Sequence, residues 1–227
     1  MVRRESSVGA TQPGPAGLAC SMDTSTLAQR ERHAMADLML EVGPDAPTLC
    51  KGWTAYDLAA HLWVREADPV GAVGIAVPPL AGVTEARIAK AKKQHPFAEL
   101  VGMVRSGPPK VSWARPMDAV ANTLEYLVHH EDVRRGADAS IAAREMSAED
   151  DAEIMDRLRQ VAMLQLGRRG VRTVLVDAKT GRKVEAGQGG VVTVTGTPTE
   201  LALYAFGREA AAHVEVLGPL APAGPDD

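Results

Sequence analysis

The chain has 227 residues, of which 45% are hydrophobic and 24% charged, with a formal net charge of −4 and a pI near 5.9. This length suits one large domain or two small ones with a full core, and the mildly acidic balance argues against a nucleic-acid surface. No apolar run approaches the ~18 residues that a membrane span requires, and with two phenylalanines in the chain, Leu, Val, Ala and Met must fill the interior.

Cys20 and Cys50 show neither CxxC nor zinc-ribbon spacing, so they read as free thiols in a reducing, cytoplasmic setting, with one bridge between them as the alternative. Arg3-Arg4 is followed by a Ser, Gly and Pro-rich stretch with no apolar h-region. Residues 1–22 therefore read as a disordered tail, with Met22 a candidate start of the folded protein. Thr26 to about Val42 has apolar residues at three- and four-residue spacing, which predicts a helix that Gly43-Pro44 ends. His33 on it reads as an ordinary helical histidine. Thr54-x-x-Asp57 resembles a capping box opening a second helix, Ala55 to about Asp68, closed by Pro69. His61 sits mid-helix, between Leu58, Leu62 and Val64, close to the buried face.

Residues 70–82, apolar and broken by Gly and Pro, read as a loop packed on the bundle or lining a pocket mouth. Thr84 to Gln94 and Pro96 to Arg105 read as short helical pieces with His95 in the turn between them, and Val111 to Pro116 as irregular. Asp118 is placed to cap the next helix. Ser147 to Leu166 is a further amphipathic helix, capped by Ser147 and ended at Gly167. Four substantial helices are enough for a four-helix bundle. Beyond Gly170 the pattern changes. Val171 to Val176 and Val191 to Thr195 read as strands, Lys179 to Arg182 as a hairpin turn, Thr199 to Ala212 as a helix and His213 to Leu217 as a last strand. The expected organisation is a helical bundle over residues 23–168, a small α+β domain over 169–220 and a disordered tail over 221–227.

The stretch richest in chemistry is Asn122 to Gly136, NTLEYLVHHEDVRRG. Val120, Leu124, Leu127 and Val128 form an apolar stripe, with Glu125, His129 and Asp132 along its edge. Glu125 and His129 are spaced i,i+4, so their Cβ atoms lie about 5–6 Å apart on one face, a workable pair of ligands for one divalent metal. His130 is rotated by about 100° and points elsewhere. A carboxylate so near the core needs a partner. The alternative is a surface Glu–His pair with Asp132 bound to Arg135 or Arg65. An inward His61 on a neighbouring antiparallel helix would make two histidines and one carboxylate, an open ligand set. There is no GxGxxG, Walker A or GxSxG segment.

KGWTAYDLAAHL and LEYLVHHEDVRRG resemble the two signature segments of the mycothiol-dependent maleylpyruvate isomerase family, a branch of the DinB-like metal-binding bundles. More closely, the chain resembles a mainly actinobacterial subgroup of metal-binding proteins with the same layout. The resemblance covers roughly Leu27 to Gly136 and resumes at Val194 to Gly218. It implies a DinB-like four-helix bundle followed by a small sterol-carrier-like domain, with His61, Glu125 and His129 as ligands of a divalent metal, commonly zinc. The family's metal binds the thiolate of mycothiol, which adds to a small electrophile in isomerisation or S-transfer. Asp132 matches the motif's final acid and is expected to orient or neutralise the metal's surroundings. Arg208 is the candidate contact to an acid substrate, and Arg65 and Arg134 are further anion contacts for the thiol cosubstrate. The expected partners are thus a small-molecule thiol and an electrophile, with no nucleic acid and no membrane, on a monomer or homodimer. A non-catalytic, metal-dependent thiol binder and a metal-free structural bundle are the competing expectations.

Overall fold

The computed structural model describes residues 25–76, 78–108 and 118–218. Helix α1 is Leu27–Val42 and α2 is Ala55–Ala67, followed by α3 (Pro69–Ala76), a 3-10 turn (Pro78–Leu80), α4 (Ala81–Gln94), α5 (Phe97–Ser106), α6 (Asp118–Arg134) and α7 (Ala148–Leu166). Strands β1 (Arg172–Asp177), β2 (Lys183–Ala186) and β3 (Val191–Gly196), helix α8 (Pro198–Ala205) and strand β4 (Glu215–Leu217) complete the described residues. The molecule is mainly α with a small mixed sheet of order β2-β1-β3-β4, in which β1 and β3 run parallel and the outer pairs antiparallel.

Local sequence accounts for most of these elements. Thr26 and Gln29 form a reciprocal capping box on α1, and Thr54 and Asp57 form the expected one on α2. Ser147 caps α7, whose first turn carries three acids. Three predictions need correction. Residues 70–76 and 78–82 are helical and not a loop. Pro69 both ends α2 and opens α3, Asp68 Oδ1 accepts from the Val70 and Gly71 amides, and the 3-10 turn leads directly into α4. Gly71 and Gly74 sit where a Cβ would overlap Val64 and Thr84, so the glycines that suggested a break are what lets α3 pack this closely. The predicted helix over 199–212 ends at Ala205 instead. Gly207, with φ +83°, donates its N–H to the Tyr204 carbonyl while Arg208 donates to Leu203, the paired bonds of a Schellman stop. The predicted last strand shortens to Glu215–Leu217, and β2, unassigned in the sequence reading, pairs across the hairpin with β1. The expected Asp118 cap lies outside the described side chains, as does the stretch 111–116.

Two apolar clusters form the core. One gathers Met35 and Met39 of α1, Leu58 and Leu62 of α2, Ile88 of α4, Leu100 and Val104 of α5, and Tyr126 and Val133 of α6. The other runs from Leu124, Leu127 and Val128 of α6 through Ile154 and Leu158 of α7 to Leu175, Val194 and Leu201. The apolar stripe of α7 therefore lies against the sheet and α8, while α5, read from sequence as a short piece, joins α1, α2 and α6 around the first cluster.

Buried charge ties the elements together. Arg135, fully buried, binds Glu131, Glu200 and the Ala211 carbonyl. Arg32 forms a bidentate pair with Glu66, which also accepts the Tyr126 hydroxyl. Arg144 bridges Glu31 and Glu131, and Glu31 also meets His130.

Gly136 stops α6 where the turn before α2 crosses it. The Leu49 amide donates to the Asp132 carbonyl at 3.0 Å, and a Cβ on Gly136 would overlap the Pro47 carbonyl. Gly136→Ala is expected to lower unfolding stability by about 1–3 kcal/mol through backbone displacement, read by urea denaturation. Gly102 of α5 has open space where a Cβ would go, so Gly102→Ala is expected to add roughly 0.4–1 kcal/mol. Equal effects of the two substitutions would contradict the close approach at Gly136.

Candidate metal centre

The capping box fixes where α2 begins and so which way His61 points, toward α6. There it meets Glu125 and His129, one helical turn apart. One donor atom from each of His61, Glu125 and His129 lies within 4.8 Å of the others. The His61 and His129 rings are edge to face at 5.8 Å between centroids, and the Trp53 ring packs on His61 at 5.0 Å. His61 is 8% exposed and its Nδ1 is buried with no hydrogen-bond partner. His129 Nε2 lies 3.2 Å from Glu125 Oε1, and its Nδ1 lies 2.7 Å from Asp132 Oδ2. Asp132, fully buried, also takes a two-point fork from Arg208, Nε to Oδ1 at 3.0 Å and Nη2 to Oδ2 at 2.9 Å.

Electrostatics follow from this arrangement. Burial, with the neighbouring His129 charge, pushes His61 down to about 3, so its imidazole is neutral at pH 7 and its lone pair is free to coordinate. Burial works against ionising Glu125, but Arg65, at 3.4 Å, and the bond from His129 outweigh it and hold the carboxylate far below its usual range. Burial likewise opposes Asp132, yet His129 and Arg208 hold it at about 2. Burial disfavours a charged His129, but bonds to Asp132, Cys50 and Glu125 raise it well above the ordinary histidine value. Both its ring nitrogens face carboxylates, which only accept. A divalent cation would take the place of the Nε2 proton while Nδ1–H stays on Asp132, the carboxylate–histidine–metal pattern.

The donor set fits such an ion. Ligands at about 2.0–2.2 Å in a tetrahedron stand roughly 3.4 Å apart, within the observed spread, and two neutral or neutralisable imidazoles plus a carboxylate leave an open position. A second cluster, Cys50, His129 and Asp132, shares His129. Arg208 Nη2 lies 3.2 Å from Cys50 Sγ and 2.9 Å from Asp132 Oδ2, putting a guanidinium where a cation would need to sit. The His61–Glu125–His129 cluster is therefore the better candidate for a metal.

The structure thus brings together His61, Glu125, His129, Asp132, Arg65 and Arg208. Arg65 also donates to Asn122 Oδ1 at 2.6 Å. Arg134 stands apart, rotated about 140° around the helix from His129 and engaged by Glu131 and the Ala142 carbonyl. His130 meets Glu31 instead of the cluster, at 2.8 Å. Asp132 pairs with neither Arg135 nor Arg65 but with Arg208, 76 residues away. Cys50 and Trp53 were missed as neighbours of the site. The turn PTLCKGWT lies just before the His61 helix, which was the available signal. Two surface cavities, of about 260 Å³ beside Asp151 and Lys179 and about 480 Å³ between Trp63 and Met103, lie away from this cluster. The donor chemistry, and not cavity size, marks the site.

No family model matches the sequence, and no curated protein matches it. Among solved structures, the chain is similar to the crystal structure of the mycothiol-dependent maleylpyruvate isomerase, with a TM-score of 0.53 and 17% identity over 88% of this chain and 93% of that one. A histidine-to-alanine variant of that isomerase matches over the same shares at a TM-score of 0.54 and 17% identity. At that identity the likeness is one of fold.

Proposed function

We propose that this chain is a divalent-metal-dependent protein that acts with a small thiol, mycothiol by analogy with its structural neighbour, on a small electrophile, as an isomerase or S-transferase. The observation that carries this reading is the convergence of His61, Glu125 and His129, with the buried His61 Nδ1 unpartnered and Asp132 behind His129. The fold shared with mycothiol-dependent maleylpyruvate isomerase supports it. When bound, the metal, with zinc the preferred ion for two imidazoles and a carboxylate, would supply a positive centre that stabilises the thiolate form of the cosubstrate. The chain's own residues do the rest. His61, Glu125 and His129 present the ligand atoms, Asp132 fixes the His129 ring, and Arg65 holds Glu125 ionised and borders the cosubstrate's position. In this reading α1, α2, α5 and α6 form a DinB-like bundle, the segment after Gly170 is a small sterol-carrier-like domain, and the protein is cytoplasmic.

The test is turnover of maleylpyruvate and a panel of other electrophiles by protein loaded with zinc, with and without mycothiol. Conversion that needs both metal and thiol is expected; full turnover after chelation overturns the reading. One observation favours a second reading, a metal-dependent thiol binder without catalysis. Arg208, expected at an acid substrate, is turned onto Asp132. Tight thiol binding through the metal with no conversion across the panel would select it.

A further inference from the structure

We infer that Arg208 is a positioning residue for His129, acting through Asp132, and not a contact to substrate; this rests on the metal reading of His61, Glu125 and His129. The helix stop at Gly207 ends α8 and turns the chain, so that Arg208 leaves the helix axis and reaches α6. Its guanidinium grips both oxygens of a fully buried carboxylate, and Nη1 donates to the Phe206 carbonyl at 2.5 Å. Its side chain is 16% exposed. A guanidinium held at three nitrogens has little left for a ligand's carboxylate. The oxygen it grips at 2.9 Å is the one that receives His129 Nδ1–H, so the fork fixes the plane of Asp132 and, through it, the ring whose Nε2 faces Glu125 and His61. A ligating histidine held this way keeps its tautomer and direction. Cys50 Sγ, 3.2 Å from both Asp132 Oδ2 and Arg208 Nη2, closes the remaining side of the carboxylate. His61 has no comparable hydrogen bond at Nδ1 and packs only by ring contact, against Trp53 and His129, among the described contacts of that ring, so the geometry of the donor set depends on the Asp132 side.

The test is metal affinity, not turnover. Zinc dissociation constants of the full-length protein, by competition with a chromophoric chelator, and the visible spectrum of the cobalt(II) form would be compared for wild type, Arg208→Met, Arg208→Lys, Asp132→Asn and the Arg208→Met/Asp132→Asn pair. Arg208→Met is expected to weaken zinc binding about 10–100-fold. Lysine keeps the charge but not the fork, so Arg208→Lys is expected to fall between, with a shifted cobalt spectrum. The double variant is expected to bind within about twofold of Asp132→Asn alone, because the two residues act as one unit. Wild-type affinity in Arg208→Met overturns the inference, and with loss of turnover it marks Arg208 as a substrate contact instead. Additive losses in the double variant also overturn it. Should Arg208→Met fail to fold, the lysine variant decides: unchanged affinity and spectrum there overturn the inference. A wild-type protein that binds no zinc overturns the metal reading and this inference with it, whereas wild-type binding indifferent to position 208 overturns this inference alone.

Discussion

Replacing His129 by alanine is expected to abolish stoichiometric metal binding, with an affinity loss well beyond the 10–100-fold typical of residues behind a ligand. His129 holds the centre of the cluster. Its Nε2 faces Glu125 at 3.2 Å, its ring meets that of His61, and its Nδ1 is anchored at 2.7 Å to Asp132. Removing it leaves one histidine and one carboxylate, too few to compete with water for a divalent ion. The fold should survive, because Asp132 keeps the Arg208 fork and Glu125 keeps Arg65. His61→Ala should lose metal as fully. The measurement is elemental analysis of protein purified without a metal-affinity tag, after zinc is supplied, alongside far-ultraviolet circular dichroism. One equivalent of metal in folded wild type and none in either variant is the expected result. Metal retained in both variants would move the ion elsewhere in the molecule.

The largest effect on stability is expected at Arg135. This side chain is fully buried between Glu131 and Glu200, and it also holds the Ala211 carbonyl. Arg135→Met preserves bulk but strands Glu200, whose other described partner is the His213 amide. Breaking one side of a buried ion pair costs about 3–5 kcal/mol, because the surviving charge remains in a poor solvent. At about 2–4 °C per kcal/mol for a chain of this size, the melting midpoint should fall by roughly 6–20 °C. Thermal unfolding followed by circular dichroism checks it, and a midpoint within a degree or two of wild type would mean that water reaches the pair. Acid should act in the same direction elsewhere in the network. Burial opposes the charge on Glu31, but His130 and Arg144 hold its pKa below the usual 4.5. Its contribution is therefore present above about pH 4.5 and lost as the pH falls through the lower folded value. Denaturation midpoints should decline below that pH, and a Glu31→Gln variant should decline less.

Features set by local sequence were legible before the structure was. The capping boxes at Thr26 and Thr54, the acid-rich start of α7 and the i,i+4 spacing of Glu125 and His129 depend on residues within one turn of each other. The glycines misled where their role was tertiary: Gly71 and Gly74 read as chain breakers, yet they sit inside α3 because a neighbouring side chain needs the space. Gly207 was overlooked because TELALYAFGREAAA has helical composition throughout, and a single left-handed residue decides where it stops. Asp132's true partner was out of reach of any pattern, since nothing in HHEDVRR distinguishes an acid awaiting a nearby arginine from one awaiting Arg208. Cys50 was invisible for the same reason, 82 residues from the carboxylate it touches.

The contact between Asp132 and Arg208, 76 residues later in the chain, also imposes a timetable on biosynthesis. A ribosome has released all three candidate metal ligands once Asp132 emerges, but the guanidinium that grips Asp132 follows only after α7, the sheet's first three strands and α8. Until then the nascent chain carries His61, Glu125 and His129 beside a carboxylate that has His129 and Cys50 as partners but no guanidinium. Completion of the site is in this sense a late event of synthesis, and a ribosome stalled before residue 208 would display the ligands without their clamp.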